Sequence, residues 1–171
     1  MSETLHLPTG ETITIRASGR RGGPVFEVDA LLPAGLSGPP RHRHRAQTEA
    51  FTVLEGRLRV HVGADRHDLG PGRTARVPPQ VVHTFSNPFD EPARIRMRET
   101  PAGPLEEQFR ALARGGRFPP LGELAAINVR HDLSFALHGI PEAVQRPLWR
   151  LLARLHARLH ARLHAQRSSS P

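Results

Sequence analysis

Between residues 12 and 98, apolar and polar side chains alternate in short runs. Ile13 and Ile15 alternate with Thr12, Thr14 and Arg16, and Phe26 and Val28 with Glu27 and Asp29. The same period returns at Leu58, Val60 and Val62, set against Arg57, Arg59 and His61. It returns again at Ile95 and Met97, set against Arg94, Arg96 and Arg98. A two-residue period sends successive side chains to opposite faces, so these runs predict half-buried antiparallel strands. Glu55-Gly56, lying between two apolar runs, predicts a hairpin. The LGPGR stretch predicts a second tight turn, and the residues around Asp65 a third. Many short strands at this spacing predict an all-β sandwich or barrel.

From residue 101 the pattern becomes helical. TPAGPLEEQFRALARGG opens on Pro with two early glutamates and closes on Arg, Gly and Gly, which are helix start and stop signals. PLGELAAINV predicts a second helix, and Pro141 opens a third and longer one. The expected organisation is a β-barrel over 1–100, a helical extension over 101–166 and a disordered tail over 167–171. The last helix carries the repeat LHAR-LHAR-LHAQ. Leu155, Leu159 and Leu163, extended by Leu151 and Leu152, keep to one broad face that drifts as it rises. That face is expected to be partly packed and to fray into solvent; the functional alternatives are a dimer contact or a surface that meets anionic lipid. His156, His160 and His164 also recur at four-residue steps, but arginines crowd them and no carboxylate is adjacent, which argues against a metal there. Trp149, the single tryptophan, is expected to anchor this helix to the barrel.

Composition narrows the chemistry. A chain of 171 residues can hold one domain with a core and an appendage. It has no cysteine, which excludes disulfides and thiolate catalysis and fits a cytoplasmic location. The start lacks the basic and apolar regions of a signal peptide. No apolar run reaches the roughly 18 residues of a transmembrane segment. The net charge is +8 with no lysine at all. Together with the lack of Cys and Tyr, this is the composition of GC-rich coding, so the basic charge is discounted as a functional signal. No aromatic-studded basic strand or helix-turn-helix accompanies it, and no specific nucleic-acid partner is expected. Nor is there a G-x-S-x-G segment for a serine hydrolase. His131, Asp132 and Ser134 are expected to cap and pack.

One stretch combines basic and metal-binding residues: PPRHRHRAQTEAFTVLEG, residues 39–56. On a strand, His42 and His44 share a face, while Arg41, Arg43 and Arg45 share the other. If the pattern resumes in register, Glu49, Phe51 and Val53 also face inward. A second segment offers His83 and Phe85 on one face, with a turn at Pro78-Pro79 to bring His83 alongside. Imidazole and carboxylate suit Fe, Mn, Ni, Cu, Co or Zn as divalent ions, and three N ligands with one O leave positions open for substrate.

These residues resemble the two motifs of the cupin superfamily. The first, G-x5-H-x-H followed by Glu and, after six residues, Gly, is matched by His42, His44, Glu49 and Gly56. Its leading glycine is not: Leu36 stands there, with Gly35 and Gly38 nearby. The second, G-x5-P-x-G-x2-H-x3-N, is matched by Gly72, Pro78, His83 and Asn87, while Gln80 replaces its second glycine. The resemblance covers roughly residues 25 to 98. It implies an antiparallel double-stranded β-helix, or jelly-roll, barrel with a C-terminal helical extension. One divalent transition metal would be held by His42, His44, Glu49 and His83, with Gly56 and Asn87 as structural residues.

Parity places Phe51, Val53, Phe85 and Met97 in the wall of a substrate pocket, with Gln47 as a polar group near its rim. The implied function is a metal-dependent cupin acting on a small, largely apolar organic molecule. An oxygenase of the quercetin dioxygenase-like kind is one form, with Glu49 as ligand and general base. The alternative is a non-catalytic metal- or ligand-binding module. Cupins commonly pair through sheet edges, so a homodimer is expected.

Overall fold

The alternating runs form strands. In the computed structural model, residues 3–21, 23–116 and 119–168 are described, excepting the side chains of Arg21 and residues 163–168. In chain order come β1 (Thr4–His6), β2 (Thr12–Ala17), β3 (Phe26–Leu32), β4 (His42–His44), β5 (Thr48–Glu55), β6 (Leu58–Val62), β7 (Asp65–Leu69), β8 (Thr74–Val77), β9 (His83–Ser86) and β10 (Ala93–Thr100). Helices α1 (Leu105–Arg114) and α2 (Leu121–Arg130) follow, then β11 (Phe135–Leu137) and α3 (Glu142–Ser168).

Two antiparallel sheets result. One runs β1-β2-β3-β10-β5-β8 and the other β11-β4-β9-β6-β7. Among the described residues no ladder joins them into a closed barrel, so the architecture is a jelly-roll type of two sheets. Their inner faces share one core that includes Phe26, Val28, Leu32, Phe51, Val53, Leu58, Val60, Val77 and Ile95. Burying that apolar surface is what selects the register, because a one-residue slip would turn every inward side chain outward.

The outer faces carry the arginines. Arg96 and Arg16 both bond Asp29, and Arg94 pairs with Glu55. Hydrogen bonding to Arg96 lowers the Asp29 pKa despite its burial, with Arg16 adding to the effect.

The turn at Glu55-Gly56 differs from the expected hairpin. β5 and β6 belong to different sheets, so this turn carries the chain from one layer to the other. Gly56 has φ +73, and a Cβ there would lie 2.5 Å from the Pro92 carbonyl oxygen. The close approach of β10 therefore requires glycine. The LGPGR turn likewise links β7 in one sheet to β8 in the other. A tight two-residue hairpin does join β6 and β7, at the turn expected around Asp65, closed by Gly63-Ala64 with Val62 opposite Asp65. Gly63 has φ +62 at the first central position, where a type II′ turn places glycine.

The three expected helices are present. α2 and α3 pack together, with the His156 ring against Gly122. Gln145, Trp149, Leu152 and His156 share that face of α3 by helical spacing. α3 continues through Ser168, and residues 169–171 of the expected disordered tail lie outside the described residues. So do the side chains of Leu163 and His164. The helical extension also contains a strand that periodicity does not predict: β11 pairs with β4, placing Phe135 opposite His44 and Leu137 opposite His42.

Candidate metal centre

β4 is short, but it separates its charges as alternation requires. His42 and His44 are buried. Arg41 and Arg45 are exposed and reach the carbonyls of Gly63 and Asp132, while Arg43 pairs with Glu142 of α3. β9 lies beside β4 with His83 opposite His42. Glu49 comes from the other sheet, inward-facing on β5 with Phe51 and Val53.

Thus the two layers converge on one cluster. One ligand atom from each of His42, His44, Glu49 and His83 lies within 4.8 Å of the others, and all four residues are buried. The His42 and His83 rings are 4.3 Å apart, and the His42 and His44 rings 5.0 Å.

Ring orientation favours metal binding. His42 Nδ1 donates to the Pro40 carbonyl at 2.8 Å, and His83 Nδ1 to the Val81 carbonyl at 3.0 Å. Such bonds fix the ring and leave Nε2 as the ligand atom. Among the described residues neither nitrogen of His44 has a hydrogen-bond partner. Its Nε2 lies 3.3 Å from Glu49 Oε1 without the alignment of a hydrogen bond. Buried polar atoms left without partners carry a desolvation cost that a bound ion would remove. The donor set and its orphaned imidazole fit a divalent metal.

The titration states agree. Burial, reinforced by His83 and His44, pushes the His42 pKa down to about 4, leaving it neutral at pH 7 as a ligand must be. Burial alone would raise the Glu49 pKa, but its contacts with His44 and His83 overcome this and hold it well below the usual carboxylate range. His83 Nε2 lies 2.8 Å from Glu49 Oε2. Burial opposes its charge, yet the Glu49 bond raises its pKa. With a carbonyl at one nitrogen and a carboxylate at the other, both nitrogens donate, so a metal would take the place of the Nε2 proton.

Of the expected pocket residues, Phe51 is buried with its ring 6.4 Å from His83 and 5.3 Å from Phe85. Met97 is buried opposite Phe51 on β10, and Val53 lies farther along β5 in the core. Gln47 is buried beside Glu99: a Cβ at Gly103 would be 2.8 Å from Gln47 Nε2 and 2.8 Å from Glu99 Oε1. A groove of about 590 Å³ lies away from the metal cluster, on the outer face of the six-stranded sheet, lined by Thr48, Arg76, Arg96 and Arg98 among others.

Two residues near the centre escape motif reading. Glu99 stands directly opposite Glu49 across the β10–β5 ladder. Burial first, then the nearby Glu49 charge, pushes its pKa up to about 8, against the bond from the Gly103 N–H. Its inward parity with Ile95 and Met97 was the available signal. Phe135 is the other. Its ring is 4.9 Å from His42 and 5.9 Å from His44. No sequence spacing ties it to the histidines, since it reaches them through β11.

The motif positions that hold no ligand are structural. Asn87 is fully buried and donates to the carbonyls of Pro33 and Glu91, while its side-chain oxygen accepts from the Phe89 N–H. Gly38 has φ +73, and a Cβ there would collide with the Phe85 carbonyl oxygen at 1.7 Å. It meets β9 two residues after the position where the first motif has its leading glycine.

Known proteins match this arrangement. The family model for the cupin domain matches residues 28–97. Quercetin 2,3-dioxygenase of Bacillus subtilis (strain 168) is 29% identical over 75 residues, 44% of this chain and 22% of that protein. The chain therefore spans about a fifth of the length of that curated relative. Among solved structures, an RmlC-like cupin from Shewanella frigidimarina superposes with a TM-score of 0.52 at 20% identity, over 60% of this chain and 86% of the other. KdgF from Halomonas sp. gives 0.51 at 17%, over 58% and 86%. At these identities the two structures show the fold alone. The buried histidine and glutamate cluster, held between two antiparallel sheets at the motif positions, lies within the residues 28–97 that match the cupin domain.

Proposed function

We propose that the protein is a metal-dependent cupin acting on a small, largely apolar organic molecule, with oxygenase chemistry as its reaction. The observation that carries this reading is the buried three-histidine, one-carboxylate cluster with all its donor atoms within 4.8 Å. Four protein ligands leave open positions on an ion that takes five or six ligands. A bound Fe, Mn, Ni, Cu, Co or Zn ion would supply Lewis acidity and, where redox-active, oxygen chemistry. Phe51, Phe85, Met97 and Val53 supply apolar surface, which favours an aromatic or aliphatic substrate body, and Gln47 can orient a polar substituent. The distant likeness to a quercetin dioxygenase supports the reaction class.

The depressed pKa makes Glu49 a good ligand and a weak base. To take a proton from a substrate hydroxyl, its carboxylate would have to swing off a bound metal. The domain division proposed is a cupin unit over 1–100 with an extension over 101–166. A cytoplasmic homodimer paired at the edge strand β1 completes the reading.

The test begins with elemental analysis of protein purified without added metal. About one transition metal ion per chain is expected, and its loss in His83→Ala. Loading should weaken as pH falls, because His83 must surrender a proton to bind. Oxygen uptake with a flavonol such as quercetin, measured after loading with each metal, should then exceed that of the metal-free protein. Metal retention without oxygen uptake or substrate turnover favours the non-catalytic binding module.

A further inference from the structure

Among the described residues, seven of the eight large hydrophobic side chains that stand exposed belong to the C-terminal extension, and five of them lie on α3. These five are Val144, Leu148, Leu151, Leu155 and Leu159, each 49–58% exposed. Their spacing of four, three, four and four residues keeps them within an arc of about 80°. They form one straight stripe beside the face that packs on α2. Five half-exposed side chains of this size present an apolar patch on the order of 400 Å², within the range that marks interaction sites.

The charge on α3 selects what can cover the stripe. Arg146, Arg150, Arg154, Arg158 and Arg162 recur along the helix, the last four exposed. Arg154 and Arg158 run along one edge of the stripe, and Arg162 lies at its C-terminal end. The helix holds one carboxylate, Glu142, already paired with Arg43 and Arg146. A second copy of α3 would bring arginine against arginine with nothing to neutralise them. A nucleic acid would answer the guanidinium groups and leave five aliphatic side chains in water. An anionic bilayer answers both: acyl chains receive the stripe, and headgroup phosphates receive the arginines.

We infer that α3 docks the protein on an anionic lipid surface, lying in the plane of the interface. The helix does not span: among the described residues no helix is long and apolar enough to cross a membrane. No stripe residue belongs to the His42, His44, Glu49 and His83 cluster, so this attachment is separable from the proposed chemistry.

The experiment is co-sedimentation of the full chain with vesicles at low salt. Phosphatidylglycerol–phosphatidylcholine vesicles should bind it, and pure phosphatidylcholine should not. The variant Leu151→Ser/Leu155→Ser/Leu159→Ser should lose at least tenfold in partitioning. Arg154→Gln/Arg158→Gln should weaken binding and flatten its salt dependence. Both variants should keep wild-type circular dichroism and metal content, since neither touches the face on α2. Three results would each overturn the inference. The wild type could fail to bind phosphatidylglycerol. The leucine variant could bind as well as the wild type. Or polyglutamate could bind as tightly as the vesicles, marking the surface as one for an acidic protein. Sedimentation velocity adds a fourth: a dimer that dissolves in the leucine variant would assign the stripe to a second copy.

Discussion

The two sheets and the helical extension contribute differently to the same centre. All four residues of the candidate metal centre come from the sheets and are buried to 6% exposure or less. The extension contributes no ligand, yet β11 joins the ligand-bearing sheet as an edge strand and sets Phe135 over two of the histidines. Ligation is therefore specified by one region, and what stands over the ligands by the other. A metal centre can be complete in its ligands and still depend on a segment outside its motifs.

The largest test of that division lies at the seam. Glu99 sits near the end of β10, and its carboxylate accepts from the Gly103 N–H at the entrance to α1. Its pKa rises from the ordinary 4.5 to about 8 because burial disfavours its charge. The sign follows from proton linkage. Between pH 4.5 and 8 the folded chain binds a proton that the unfolded chain has released, so stability falls as pH rises through this window and levels off above it. The gap of about 3.5 units, 8 less 4.5, sets an upper bound on the order of 5 kcal/mol. Glu99→Gln, which mimics the neutral acid, should therefore match the metal-free wild type below pH 4.5 and exceed it by a few kcal/mol at pH 8. Urea unfolding of chelator-treated protein across pH measures the difference. A pH-independent difference would mean that Glu99 is charged in the folded state and that the seam is wetter than its burial indicates.

A smaller effect tests whether the extension belongs to the metal centre. Asn128 of α2 is buried and holds β11 from both sides, its amide donating to the Phe135 carbonyl at 3.0 Å and its oxygen accepting from the Phe135 N–H at 3.0 Å. Gln145 of α3 does the same for Leu137. Asn128→Ala leaves a buried donor and acceptor unpaired, at about 1–3 kcal/mol each before relaxation. A loss of about 2 kcal/mol is expected in urea unfolding. Metal affinity, read by competition with a chromogenic chelator, should drop about tenfold, as it does when the supporting groups around ligands are removed. Loss of stability with unchanged metal affinity would make the extension a separate module with no part in the metal centre.

The reasons for this unequal legibility are physical. Strands β2, β3, β5, β6 and β10 are long enough to show a two-residue period, and each buries one face. β4 is only three residues, but the five-residue run RHRHR alternates through it, so parity sorted Arg41, Arg43 and Arg45 from His42 and His44. The motif spacings then joined β4, β5 and β9 across two sheets, which no local pattern could do. Periodicity failed at Glu55-Gly56, because a turn between strands looks the same whether they pair or change layers. It failed again at β11, where three residues are too few to display a period. The turn before it also carries no glycine signal, since Asp132 and Leu133 adopt φ of +54 and +55. Glu99 was hidden for another reason. On an inward position a carboxylate reads as an exception to the pattern, and only its neighbour Glu49 on the next strand shows that the site tolerates it.

The smallest effect sharpens the comparison from within the motifs. Gln80 occupies the position where the second cupin motif has glycine, and its φ is +68. Here a residue other than glycine adopts the left-handed backbone. A side chain in that conformation costs roughly 1–2 kcal/mol. Two bonds offset part of it: the Gln80 N–H donates to the His44 carbonyl at 2.7 Å, and Nε2 donates to the Arg45 carbonyl at 3.1 Å. Glycine would keep the first bond, lose the second and relieve the strain, but it would enlarge the conformational freedom of the unfolded chain. Gln80→Gly should therefore gain at most about 1 kcal/mol in urea unfolding, with metal content unchanged. A loss of stability instead would show that the Arg45 bond outweighs the strain. The substitution would then be a local lock on β4, fastening the ligand strand by a residue that the motif does not contain.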